Sequence, residues 1–191
     1  ERPEEIALRD PRQALTWLDV DNVLNRAANA IRLADTGPDL RIAVFAENGV
    51  ETALANLGGL IGGASVVPIN FHLTAEEVAY ILSDSGARLV FIGPETAERG
   101  LEAAALAGID QVIGWRCEIA GLQSWDEWLA ASSPEEPDTS IPPRPNLLYT
   151  SGTTGRPKGT HLPPTMFAGG DTVEAHLQNL KLNPLAALGP H

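Results

Sequence analysis

Residues 147–160 read Leu147-Leu148-Tyr149-Thr150-Ser151-Gly152-Thr153-Thr154-Gly155-Arg156-Pro157-Lys158-Gly159-Thr160. A short apolar run, Leu147-Leu148-Tyr149, opens into hydroxyls and glycines and closes on a lysine. Glycine lets backbone amides turn toward a ligand with no side chain in the way. Successive N–H groups in such turns form an anion-binding concavity. Thr150, Ser151, Thr153 and Thr154 add hydroxyl donors, and Lys158 adds a full positive charge. That donor set suits a polyphosphate.

The surrounding charge agrees. The chain carries a formal net charge of −12, yet residues 139–170 contain no Asp or Glu while holding Arg144, Arg156, Lys158 and His161. A locally basic loop in an acidic chain points to a bound anion. A flexible Ser/Thr/Gly linker has similar composition, but linkers rarely follow an apolar strand and end in Pro-Lys-Gly. The Walker A loop fails on spacing, because Pro157 stands where that motif needs glycine before its lysine. Pro163-Pro164 would also interrupt the helix that follows a Walker loop.

Composition sets further bounds. A chain of 191 residues with 43% hydrophobic and 20% charged residues can bury one good core. The acidic excess argues against nucleic acid or an anionic membrane surface as partner. Cys117 is the single cysteine, so no intramolecular disulfide framework exists, and it reads as an incidental thiol. Glu1-Arg2-Pro3-Glu4-Glu5 is no signal peptide, and the absence of Met leads us to expect residues ahead of it. The longest charge-free run, Thr52 to Ala75, is broken by Asn56, glycine pairs and Pro68. It reads as a buried helix then a buried strand, with no transmembrane segment. These readings predict a cytoplasmic protein.

Around the loop the chain alternates. Ile6-Ala7-Leu8-Arg9 and Ala14-Leu15-Thr16-Trp17 read as strands about an Asp10-Pro11-Arg12 turn. Asp19 is the expected cap of a helix carrying Val20, Leu24, Ala27, Ala28 and Ile31 at helical spacing, stopped by Asp35-Thr36-Gly37-Pro38. Strands are predicted at 41–46, 65–69, 88–92 and 111–113, with helices at about 50–61, 75–83 and 95–107 between them. Thr74 with Glu77 makes a capping box. Such alternation implies an α/β fold, a mostly parallel sheet flanked by helices on both faces. Trp115, Trp125 and Trp128 read as packing for a short helix near 122–131. His72 reads as a loop residue and His176 as a surface group on a helix at about 171–180, within a helical stretch 165–182 weakened at Gly169-Gly170. The segment 132–145, with Pro134, Pro137, Pro142, Pro143 and Pro145, cannot be helix or central strand; a domain linker has such a composition, and a surface crossing that delivers the chain to the phosphate-loop strand is the preferred reading.

Residues 149–159 closely resemble the phosphate-binding signature of the adenylate-forming (AMP-binding) enzymes: acyl-CoA synthetases, firefly luciferase and peptide-synthetase adenylation domains. The resemblance extends to Leu15-Thr16-Trp17, to 62–70 with its glycine-then-proline strand, and to Leu73–Leu82 followed by Asp84-Ser85-Gly86-Ala87-Arg88. That last stretch is similar to acyl-CoA synthetases of the fatty-acid–CoA ligase type. Pro163-Pro164 fill places where many relatives carry Thr-His, so no role passes to His161. The resemblance implies ATP-dependent activation of a carboxylic acid to an acyl-adenylate, then transfer to coenzyme A or to a carrier protein's phosphopantetheine. It implies Thr150, Ser151, Gly152, Thr153, Thr154, Gly155 and Lys158 as ATP phosphate-binding residues, with Thr153 or Thr154 as the candidate contact to Mg2+ and no other metal ligand. It also implies that residues 1–191 are the incomplete N-terminal portion of a large domain. The rest of that domain and a C-terminal lid bearing the catalytic residues are expected downstream of His191. The other reading of the chain as it stands is a catalytically inert nucleotide-binding fragment.

Overall fold

The computed structural model describes residues 2–150, 157–161 and 170–182. β1 (Ile6–Arg9) and β2 (Ala14–Thr16) form an antiparallel hairpin. α1 (Trp17–Leu33) follows at once, so Trp17 opens the helix instead of closing the strand. The cap is Thr16, not Asp19. Thr16 Oγ1 accepts from the Asp19 amide at 3.2 Å while Asp19 Oδ2 accepts from the Thr16 amide at 2.9 Å. A β-branched hydroxyl residue in extended backbone serves both as last strand residue and as N-cap, and Asp19 is the reciprocal acid three residues on.

Then come β3 (Arg41–Phe45), α2 (Val50–Ile61), β4 (Ser65–Ile69), α3 (Ala75–Ser85), β5 (Leu89–Ile92), α4 (Ala97–Ala107), β6 (Gln111–Gly114), β7 (Gln123–Ser124) and α5 (Trp125–Ala130). The five strands β3–β7 make one parallel sheet in the order β4-β3-β5-β6-β7. The expected capping box of Thr74 and Glu77 starts α3, and Gly86 and Gly108 end α3 and α4 in left-handed backbone. α2 lacks a side-chain cap of its own; Asp10 Oδ2, on the β1–β2 turn, accepts from the Val50 amide at 3.2 Å. Backbone donors, Arg12 first and then Val50, hold the Asp10 carboxyl below its usual range.

Side chains alternate across the sheet as a pleated strand requires. Ile42, Val44, Val66, Leu89, Phe91 and Ile113 face α1, α2 and α5. Ala43, Phe45, Val67, Val90 and Ile92 face α3 and α4. Trp115, Trp125 and Trp128 are buried around Phe91, with Trp125 edge-on to Phe91 at 5.5 Å between centroids. Pro68 has no amide to give a ladder, and β4 lies at the sheet edge. The proline-bearing segment has neither helix nor strand, as expected, and leads to β8 (Leu147–Thr150), β9 (Lys158–His161) and α6 (Val173–Leu182). His72 lies in a turn. His176 is not a surface group: it is 3% exposed, because α6 turns that face onto the protein. The expected helical residues 165–169 fall outside the described residues.

α1 and α2 cross closely at Gly58, where an added Cβ would lie 2.7 Å from the Ala27 Cβ. Alanine there would gain about 1 kcal/mol of helix propensity. Overpacking against a neighbour fixed to its own backbone costs about 1–3 kcal/mol. Gly58→Ala is therefore expected to lower stability by up to about 2 kcal/mol, read as a lower denaturation midpoint with unchanged slope.

Candidate functional site

The loop quoted above sits on a hairpin. β8 and β9 pair antiparallel in the register Leu147↔His161, Leu148↔Thr160, Tyr149↔Gly159 and Thr150↔Lys158. Two of the expected phosphate-binding residues, Thr150 and Lys158, are thus brought together as the last cross-strand pair, with Lys158 exposed. Ser151, Gly152, Thr153, Thr154 and Gly155 lie outside the described residues. A hydroxyl and an ammonium facing outward at one neck are the donor types a phosphate chain needs.

The hairpin is delivered and fixed by contacts the sequence reading did not single out. The crossing segment has few ladder partners for its carbonyls, and α1 supplies donors. Arg26 Nη1 donates to the Ser132 carbonyl at 2.6 Å, Asn29 Nδ2 to those of Ser133 and Glu135 at 3.0 and 2.9 Å, and Arg32 Nη1 to that of Asp138 at 2.7 Å. Two amides at the start of α6 donate to the same segment, Val173 to Ile141 at 2.7 Å and Glu174 to Thr139 at 3.1 Å. Ser65 Oγ donates to the Pro145 carbonyl at 2.7 Å, beside the entry to β8. Leu147, 6% exposed, then enters the core shared by α3 and α4.

Tyr149 precedes Thr150. Its hydroxyl donates to Asp84 Oδ2 at 2.7 Å, in the last turn of α3. Its ring lies against Gly159, where an added Cβ would come within 3.1 Å of Cζ. Burial first, and then the hydrogen bond and the negative charge of Asp84, push the Tyr149 phenol well above the ordinary tyrosine range. The ring thus leaves little room for a side chain at position 159. Among the described residues, no group of three or more His, Cys, Asp or Glu side chains is placed to hold a metal. Among them, too, no helix is long and apolar enough to cross a membrane.

The comparisons agree with the fold. The sequence model of the AMP-binding enzyme family matches residues 1–165, and the chain belongs to this family of adenylate-forming enzymes. It is 35% identical over 147 residues to the long-chain-fatty-acid–CoA ligase FadD13 of Mycobacterium tuberculosis, covering 76% of this chain and 29% of that protein. It is 29% identical over 161 residues to tyrocidine synthase 3 of Brevibacillus parabrevis, covering 84% of this chain and 2% of that one. The N-terminal domain of FACL13 from Mycobacterium tuberculosis, solved with an inhibitor bound, superposes with a TM-score of 0.68 at 30% identity, over 81% of this chain and 39% of that one. A benzoate CoA ligase from Burkholderia xenovorans shares the fold, with a TM-score of 0.70 at 24% identity over 84% of this chain and 31% of that one. The chain spans less than a third of the length of these curated relatives.

Tyr149 and Tyr80 are the two tyrosines, so a Tyr80→Phe background isolates the Tyr149 phenol. Its absorbance is expected to titrate well above pH ~10. Asp84→Ala should lower that midpoint, yet leave it raised, because burial is the larger cause. The sign for stability follows. The buried neutral phenol contributes fully below the unfolded value of about 10, and that contribution is lost as pH climbs through the raised folded value.

Proposed function

We propose that this chain provides the ATP phosphate-binding part of an enzyme that activates a carboxylic acid of the fatty class and passes the acyl group to coenzyme A. The observation that carries the reading is the Thr150↔Lys158 neck in a chain of the adenylate-forming family. In this reaction a carboxylate oxygen attacks the α-phosphorus of ATP and pyrophosphate leaves, giving the acyl-adenylate. A thiol sulfur then takes the acyl carbon and AMP leaves.

The chain's share is binding and charge compensation. Lys158 is a point charge for the β- and γ-phosphates, strongest in effect as pyrophosphate departs. Thr150, Ser151, Thr153 and Thr154 donate hydroxyl hydrogen bonds, and Gly152 and Gly155 leave backbone amides open to the phosphates. Mg2+ supplies further compensation of phosphate charge when bound, with Thr153 or Thr154 as its contact. The groups that hold adenine and ribose, and the catalytic residues, are assigned to the part of the relatives that this chain does not span. A cytoplasmic location goes with this reading, since ATP and coenzyme A are supplied there.

The fatty-acid assignment is supported by the higher identity to the long-chain-fatty-acid–CoA ligase. A second reading, an adenylation domain that loads a carrier protein, is favoured by the match to tyrocidine synthase 3. The deciding experiment is carboxylate-dependent exchange of labelled pyrophosphate into ATP by the longest polypeptide the gene encodes, across short, medium, long and aromatic acids and amino acids. Exchange with long-chain acids supports the ligase, and exchange with an amino acid supports the carrier-loading reading. No exchange from a folded protein leaves an inert nucleotide-binding chain. In an active protein, Lys158→Ala is expected to lower kcat/KM for ATP by about tenfold to a hundredfold, the order of one lost charge-assisted contact. An unchanged value removes the role given to Lys158.

A further inference from the structure

Asp84 is out of place in its own helix. It sits in the last turn of α3, which has no basic residue there. The helix macrodipole presents partial negative charge at that end, so an acid gains nothing locally. Among the described residues, the hydrogen-bond partner of its carboxylate is the Tyr149 hydroxyl, 65 residues on, at 2.7 Å. A residue that breaks a local rule and makes a long-range contact is best explained by that contact.

The contact bears on one place. Tyr149 immediately precedes Thr150, and its cross-strand partner Gly159 immediately follows Lys158. The Tyr149 ring covers Gly159 because that residue has no side chain. Asp84, through Tyr149, therefore holds both strands of the hairpin one residue behind the neck. We propose that Asp84 is a positioning residue: its hydrogen bond to Tyr149 clamps the β8–β9 hairpin to α3 and so fixes where Thr150 and Lys158 meet the ATP phosphates. The inference rests on the phosphate-site reading given above.

Two measurements on the full-length protein test it together. The first is trypsin cleavage at the Lys158–Gly159 bond, which needs that strand to open and does not depend on activity. Arg156 is followed by Pro157 and resists trypsin, so the cut at Lys158 is read cleanly. The second is KM for ATP against kcat in pyrophosphate exchange. Asp84→Ala and Tyr149→Phe are each expected to speed cleavage at Lys158 and to raise KM for ATP by about three- to tenfold, the order of one lost hydrogen bond, with a smaller change in kcat. The double variant should be no worse than either single one, as for two halves of one contact. Asp84→Asn keeps an acceptor oxygen and should behave as the parent. Asp84→Ala should change the melting temperature only slightly, because removing an acid from the wrong end of α3 offsets part of the lost hydrogen bond.

Unchanged cleavage in both Asp84→Ala and Tyr149→Phe overturns the clamp, whatever the catalysis. Faster cleavage with an unchanged KM for ATP, in a protein where Lys158→Ala is impaired, overturns the positioning role. Faster cleavage in a parent with no exchange upholds the clamp and removes the phosphate-site reading instead. A lower melting temperature with no effect on ATP assigns the contact to stability alone and also overturns the proposal.

Discussion

The structure depends on burying β3 and β5 from both sides. Ile42 and Val44 point one way and Ala43 and Phe45 the other, and all four are nearly inaccessible. A strand apolar on both faces cannot lie against water, so it needs helices above and below. The chain supplies them from successive connections, α1, α2 and α5 on one face and α3 and α4 on the other. Pro68 fixes one limit of this arrangement, because a strand without that amide belongs at an edge. The edge at β4 is where the chain must later arrive with β8.

Arrival there creates a second constraint. A segment rich in proline cannot satisfy its carbonyls in a helix or an interior ladder. Arg26, Asn29 and Arg32 recur every three residues along α1 and donate to those carbonyls. What looks like a solvated helix face is the track on which the crossing lies. Ser65 takes over at Pro145, and Leu147 drops into the α3–α4 core. The hairpin is placed by donors spread from residue 26 to residue 65, not by its own sequence alone.

Legibility followed range. The strand and helix alternation and the Thr74–Glu77 box rest on neighbours within a few residues, and both are seen. Thr16 is a strand residue as expected, but the cap falls on it and not on Asp19, because its β-branched hydroxyl side chain suits both a strand end and a cap. His176 was misread because a polar residue on a short helix gives no sign of which face is covered. Asp10 capping α2 and Asp84 holding Tyr149 span 40 and 65 residues, and no local pattern encodes such pairs. For the loop, the residue types were legible and the hairpin that closes it was not, since Lys158 read as loop and not as the first residue of a strand.

That last difference changes how the loop works. A glycine-rich stretch between free ends would have to be ordered by its ligand, at a conformational cost for every residue fixed. Here the backbone ladder is already closed at Thr150↔Lys158, and the ring of Tyr149 seals the pair behind it. The entropy of bringing the loop ends together is therefore met by folding, before any nucleotide binds. Lys158 belongs to that closed ladder, so its charge is held in place by the pairing with Thr150. An acidic chain of net charge −12 gains from this arrangement, because its anion-binding charge is held at the neck, within a stretch free of Asp and Glu.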